Sequence, residues 1–313
     1  MPFGDGRVKK PGEPSLPSSH DSLSIAIVHR HQLLTFSIIT VTYNAAATVE
    51  RTLRSVLSQT YRGVEYIVID GASTDGTPAL VRRYMQPVES LPHRVNTLVS
   101  EPDHGLYDAM NKGLSLATGH YIWFLNAGDC LHSSDTLQHV ADSIGQPDES
   151  YPTTLSPGGS AQEAGTLAPI SLTDVVYGFT AIVDHEGRFL RMRRLVPPDR
   201  LTWRSFRQGM LVCHQAFIAR RELCPRYDLR YHYSADYDWC IRVMRQATRL
   251  HNTHLTLVDY LSQGLTTRHH RASLVERLRI MARHYGWPVA IAEHLWFVIR
   301  AIIRRYGHKE QRC

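Results

Sequence analysis

No apolar run in this 313-residue chain is long enough and free enough of charge to cross a bilayer. The amino terminus also lacks a basic-then-apolar leader, since Leu23 to Val28 is short and follows twenty polar or Pro-rich residues. Cysteine is sparse: five residues, odd in number and without C-x-x-C spacing, argue against a disulfide framework or a cysteine-bound zinc and favour a reducing compartment. Charge of one sign is not concentrated enough for a nucleic-acid partner. The formal balance of +6 is spread along the chain, denser only at Arg188 to Arg194 and in the last forty residues. An anionic small substrate or an anionic membrane surface suits it better. Internal repeats are absent. Hydrophobic residues, at 43%, suffice for a large core.

The organising stretch is Phe36 to Thr77. Phe36 to Val41 is a β-branched run, Thr42-Tyr43-Asn44 is turn chemistry, and Val49, Leu53, Val56 and Leu57 recur at helical spacing. Tyr66 to Ile69 is a second fully apolar strand, closed by the polar run Asp70 to Gly76. Strands apolar on both faces imply a parallel sheet covered by helices, with ligands beyond the strands' carboxyl ends. Further along, strands are expected at Asn96 to Val99, Tyr121 to Leu125, Val175 to Val183, Arg188 to Leu195 and Gln215 to Ile218. Helices are expected at Pro78 to Met85 (with Asp75 as its cap), Leu106 to Ala117, Leu137 to Ile144, Asp238 to Gln246, Leu274 to Tyr285 and Pro288 to Tyr306. This divides the chain into a disordered extension over 1–34, an α/β domain over 35–270 with a flexible Pro-, Gly- and Ser-rich insert at 145–170, and a helical extension over 271–313.

Four carboxylates, Asp70, Asp103, Asp129 and Asp236, follow a strand or open a helix. Each alone is an ordinary turn former or helix cap. Together, with no soft ligand nearby, they suit a hard divalent cation on substrate phosphates, with a separate carboxylate taking a proton from a hydroxyl nucleophile. That is the chemistry of transfer from a nucleotide-activated donor.

The ordered motifs FSIITVTYN, VIDGASTDGT, EPDHGLYDAMNKG, YIWFLNAGD, CHQAFIAR and SADYDWCIR resemble the family 2 glycosyltransferases of GT-A (Rossmann-like) fold, and most of all their bacterial exopolysaccharide, colanic acid-type branch. The resemblance runs from Phe36 to Gly286, broken by the insert. It implies an inverting, metal-dependent (Mg²⁺ or Mn²⁺) enzyme moving a hexosyl-type sugar from a nucleotide diphosphate sugar to a glycan or lipid-linked acceptor, in the cytoplasm and peripheral to the membrane's inner face. In that resemblance Thr42, Tyr43, Asn44, Asp70, Ser73, Asp103 and Asn126 bind the nucleotide sugar. Asp129 holds the metal and diphosphate, and Asp236 is the general base. His214 and Gln215 face the acceptor, and a loop containing Thr266, Thr267 and Arg268 closes over the diphosphate. The chain departs from the family where Gly71 follows Asp70, where Asn126 and Gly128 stand in place of acids, and where Ala235 precedes Asp236.

The processive Q-x-x-R-W signature is absent, which implies one sugar per encounter. A catalytically silent scaffold in a polysaccharide assembly complex is the alternative reading. A nucleotidyltransferase would open with a glycine-rich basic loop where this chain has Thr42 to Ala46. The helix over 288–306 suits either a membrane interface or packing on the domain or a second subunit.

Overall fold

The computed structural model of the chain describes residues 33–144, 172–262 and 270–310. The sequence expectations for the extension before residue 33, for the insert and for the loop with Thr266, Thr267 and Arg268 lie outside those residues.

One sheet of nine strands forms the centre of the unit that begins at Thr35. Its strands are β1 (Phe36–Thr42), β2 (Val64–Asp70), β3 (Thr97–Ser100), β4 (Tyr121–Phe124), β5 (Cys130–Leu131), β6 (Val175–Val183), β7 (Phe189–Met192), β8 (Phe217–Arg220) and β9 (Leu250–Leu261). They lie in the order β3-β2-β1-β4-β8-β6-β9-β5, with β7 added to β6. The first four neighbours are parallel, β8 is antiparallel to both β4 and β6, and β9 runs parallel to β6. All seven residues of β1 are buried, which is the burial expected of a central parallel strand covered on both faces.

The helices are α1 (Val49–Leu57), α2 (Thr77–Arg83), α3 (Leu106–Leu116), α4 (Thr136–Ser143), α5 (Ala235–Met244), α6 (His270–Tyr285) and α7 (Trp287–Glu310). Helix α1 buries its Val49, Leu53, Val56 and Leu57 stripe. Helix α3 lies close on β1 because it carries Gly113: a Cβ there would come within 2.4 Å of an Ile39 methyl. Helix α5 is fixed to the sheet by Trp239, fully buried and in edge contact with Phe124 and Phe217 while stacking on Tyr227. Losing a buried aromatic of this kind typically costs about 3–5 kcal/mol.

Three local differences from the sequence expectations matter for the site. Helix α5 starts at Ala235, three residues early, so Asp236 lies in its first turn. A short 3₁₀ turn over His214–Ala216 precedes β8, so Gln215 is not in the strand. Strand β9 escapes the periodicity altogether. It is half-exposed, its register against β6 shifts twice, and His254 takes a positive φ of 53°. At α2 the residue before the helix is Gly76, at φ 90°. Asp75 serves it indirectly, accepting from the Thr77 N–H (3.1 Å) and hydroxyl (2.5 Å) and from Ala46 N–H (2.9 Å).

Candidate active site

Thr42 and Asp70 are the last residues of β1 and β2 and stand side by side in the parallel ladder. Asp70 is wholly buried. One carboxylate oxygen accepts from the hydroxyls of Thr42 (2.9 Å) and Ser73 (2.5 Å), the other from Ser73 N–H (2.9 Å) and Ser100 Oγ (2.7 Å). Burial pulls its pKa upward, but the bonds from Ser73, Ser100 and Thr42 outweigh it and hold the carboxyl below its ordinary range. The two loops beyond these strands are then stitched together. Asn44, at φ 47°, donates its N–H to Ser73 Oγ (2.8 Å) and accepts Thr74 N–H at Oδ1 (2.9 Å). Tyr43 is left projecting beyond the end of β1, 69% exposed, an open aromatic face.

Gly71, where relatives by resemblance carry a second acid, could take a side chain only if the Asp103 carboxylate moved aside. A Cβ there would meet Asp103 Oδ2 at 2.5 Å and the Tyr43 ring at 3.4 Å. The Asp103 carboxylate thus occupies the space beside Tyr43 that a second acid would fill, and Gly105 N–H holds it there (2.8 Å). Lys112 ties its ammonium to Glu101 (2.9 Å) and to the Pro102 carbonyl (2.8 Å), and so braces the Asp103 loop.

The turn after β4 carries Asn126 and Asp129. Asp129 is 5% exposed. One of its oxygens accepts Gln215 Nε2–H (2.5 Å) and the other accepts Leu261 N–H (2.7 Å). Burial raises its pKa to about 6 in spite of those two donors. Asn126 Oδ1 is buried and has no hydrogen-bond partner among the described residues. Asn126 Nδ2 lies 3.5 Å from His214 Nε2, and His214 Nδ1 lies 3.4 Å from Asp236 Oδ2.

Asp236 therefore sits at the N-terminal end of α5 with both oxygens addressed, since Tyr107 Oη donates to Oδ1 (3.0 Å). Its side chain keeps 17% of its surface exposed. Burial works to raise its pKa, and the hydrogen bond and charge of His214, the charge of Arg277 and the Tyr107 bond together hold it below the ordinary value. A helix N-terminus also favours the ionised form. Asp238, one turn-face away, is fully buried and paired with Arg242 Nε (2.6 Å) and His284 Nε2 (2.7 Å), a tie between α5 and α6.

The structure brings Asn126, His214 and Asp236 together and separately gathers Thr42, Asn44, Asp70 and Ser73. Tyr107 went unnoticed in the sequence; its contact to Asp236 spans 129 positions and leaves no local signal. Gln215, expected to face the acceptor, is instead wholly buried behind Asn126. For a divalent cation the donor set fits poorly. Acids are missing at Asn126 and Gly128, which leaves Asp129 as the one carboxylate of that turn, and among the described residues no three His, Cys, Asp or Glu converge to hold a metal.

Comparison with known proteins places this site in context. The profile of "Glycosyl transferase family 2" matches residues 37–227. A Mycobacterium tuberculosis "PGL/p-HBAD biosynthesis glycosyltransferase" is 34% identical over 210 residues, covering 66% of this chain and 68% of the relative. A second M. tuberculosis glycosyltransferase is 30% identical over 213 residues, with the same coverage. Among solved structures, S. aureus TarS 1–349 superposes with TM-score 0.58 at 16% identity, covering 84% of this chain and 72% of TarS 1–349. Its complex with UDP-GlcNAc gives 0.53 at 18%, covering 74% and 59%. The shared sheet and flanking helices are those of the GT-A fold, and the profile match over well over half the residues establishes that the chain belongs to glycosyl transferase family 2.

Proposed function

We propose that the chain is an inverting glycosyltransferase that moves a sugar from a nucleoside diphosphate sugar to a hydroxyl of a glycan or lipid-linked acceptor in bacterial surface or exopolysaccharide synthesis, with Asp236 as general base. The observation that carries this reading is the state of Asp236: a carboxylate held ionised by His214 and Tyr107, partly open, and one imidazole away from Asn126 in the turn after β4. In the step, the acceptor oxygen forms a bond to the anomeric carbon as the bond to the diphosphate oxygen breaks. The acceptor's proton passes to Asp236, and the nucleoside diphosphate leaves with the bonding electron pair. One displacement inverts the anomeric centre.

Donor binding is assigned to Thr42, Tyr43, Asn44, Asp70, Ser73, Asp103 and Asn126. Tyr43 offers a face to a base, and Asp103 supplies an acid beside Gly71, which has none. UDP and UDP-GlcNAc in the TarS complexes support a donor of this class. A divalent cation enters this reading only with the donor's diphosphate, and no step depends on it. Release of nucleoside diphosphate, measured across UDP, GDP and dTDP sugars with Mn²⁺, Mg²⁺ or EDTA, tests the reading. Slow hydrolysis of one donor is expected; silence across the panel together with no calorimetric binding would hand the site to the scaffold reading.

The reading extends to an anionic membrane surface. No helix among the described residues is long and apolar enough to cross a membrane. However, α7 exposes Trp287, Ile291, Leu295, Trp296, Val298, Ile299 and Ile303, an arc of roughly half its circumference about 24 Å long, with no charged residue in it. From Arg268 to Cys313 there are ten Lys and Arg against three Asp and Glu, a net +7, so the preceding residues carry −1 of the chain's +6. Apolar area beside basic charge is the pattern of interfacial binding, and it would hold the enzyme peripheral to the inner face of the cell membrane, beside a lipid-linked acceptor. Flotation with vesicles of phosphatidylcholine, with and without phosphatidylglycerol, is expected to show binding that needs the anionic lipid. Combined Ile291→Glu, Leu295→Glu and Ile299→Glu changes should weaken it by at least about tenfold. A dimer dissolved by the same changes, without vesicle binding, would assign the face to a second copy.

A further inference from the structure

Gln215 has a fully buried side chain in the short turn that also carries His214, and both ends of its amide are used. Oε1 accepts Asn126 N–H (2.6 Å) and Nε2 donates to Asp129 Oδ2 (2.5 Å), while its main-chain carbonyl accepts the Trp123 indole N–H (2.6 Å). The other oxygen of Asp129 accepts the N–H of Leu261, the last residue of β9 (2.7 Å). The Leu261 side chain in turn closes on the turn after β4, where a Cβ on Gly128 would lie 3.2 Å from its Cδ2. A continuous chain of hydrogen bonds, buried at its Gln215–Asp129 link, thus runs Asn126–Gln215–Asp129–Leu261.

We propose that Asp129 is a positioning residue and not a metal ligand. With Gln215 it latches the turn after β4 to the end of β9, and so sets where Asn126 and His214 stand relative to Asp236. The inference rests on the proposed glycosyl transfer for its activity readout. Its physical basis is the disagreement between the donor set and a cation site: Asp129 is 5% exposed with one N–H on each oxygen, and Asn126 and Gly128 stand where further acids would complete a cation's oxygen shell. The latch reaches the base through two contacts. Asn126 is held at its main chain by Gln215, its side chain meets His214, and His214 meets Asp236. Displacing a reacting group by about 1 Å can cost about 100-fold in rate, so a slack latch would be felt at the base.

Exchanging the two side chains separates a latch from a ligand. In the double variant Asp129→Asn with Gln215→Glu, the asparagine carbonyl still accepts Leu261 N–H. The asparagine amide donates to the glutamate, and the glutamate's second oxygen accepts Asn126 N–H, so all three bonds survive although position 129 has lost its carboxylate. Each single change breaks the set: Asp129→Asn turns two amide N–H groups on one another or on Leu261, and Gln215→Glu faces two carboxylates. Each single variant should lose about 100-fold in donor turnover and melt at lower temperature. The double variant should recover most of both. A folded double variant melting like the wild type but as inactive as Asp129→Asn would overturn the latch.

Calorimetry guards against a double variant that fails to fold. The latch predicts that Asp129→Asn weakens nucleoside diphosphate binding equally in EDTA and in Mg²⁺ or Mn²⁺, whereas a ligand predicts a loss confined to the metal-containing arms, which would also overturn it. If the wild type turns over no donor, the glycosyl-transfer reading fails on its own, and the order of melting temperatures among single and double variants still decides the latch.

Discussion

Asp236→Asn is expected to lower transfer turnover by roughly 10³-fold, within the about 10²–10⁴ range of a positioned general base, while donor affinity by calorimetry stays near the wild-type value. Asparagine preserves the shape at the start of α5 and still accepts the Tyr107 hydroxyl, so folding is not at stake, yet it takes no proton from the acceptor. The pH profile carries the sharper signature. His214, Arg277 and Tyr107 together hold the Asp236 carboxyl below its ordinary range, against burial. The base is then ionised at neutral pH, and the acid limb of kcat/KM belongs below the usual carboxylate value. Tyr107→Phe deletes one donor to the ionised form, so the carboxyl's pKa rises and that limb moves to higher pH, with a modest loss at pH 7. Acceptor-dependent transfer persisting in Asp236→Asn at near wild-type rate would move the base elsewhere, as would an acid limb unmoved by Tyr107→Phe.

What the sequence made legible and what it hid follow from how far each contact reaches along the chain. The opening strand–turn–helix–strand was readable because β1 and the last five residues of β2 are buried and mostly apolar, while their ends carry Thr42 and Asp70. Those side chains advertise themselves in a short window. Gly71 was visible only as a missing acid. The Asp103 carboxylate that stands where its side chain would begin comes from a loop thirty-two positions later. Gln215 could be placed near the site but not assigned its work, because its partners come from the turn after β4 and, through Asp129, from β9. Strand β9 itself lacks alternation because one of its faces is half open and its pairing slips. Asp129 shows the limit best: its residue type and place suggest a metal, while the partners that make it a latch in the proposal, Gln215 and Leu261, lie 86 and 132 positions away.

Asp238→Ala is expected to destabilise the chain by about 3–5 kcal/mol, because it removes the buried carboxylate shared by Arg242 and His284. Arg242 keeps the Arg226 carbonyl (2.8 Å) and some access to solvent, but His284 is 6% exposed and loses its partner. On a domain of this size the loss lowers the melting temperature by roughly 5–15 °C. Its pH dependence has a definite sign. Burial raises the Asp238 pKa, but the His284 hydrogen bond and the charges of Arg242 and His284 more than offset this and leave it below the ordinary value. A carboxyl depressed in the folded state contributes fully above its unfolded pKa, near 4, and that contribution disappears as the pH falls through the lower folded value. The gap between wild type and Asp238→Ala should therefore be constant from neutral pH down to about 5 and narrow below about 4. Parallel stability curves through that window would deny Asp238 its charged role. Activity should fall with stability only in part, since Asp236 lies two residues earlier on the same first turn and keeps its own contacts to Tyr107 and His214. A loss of turnover as large as that of Asp236→Asn in still-folded Asp238→Ala would show that the α5–α6 tie, and not only the Tyr107 and His214 contacts, aims the base.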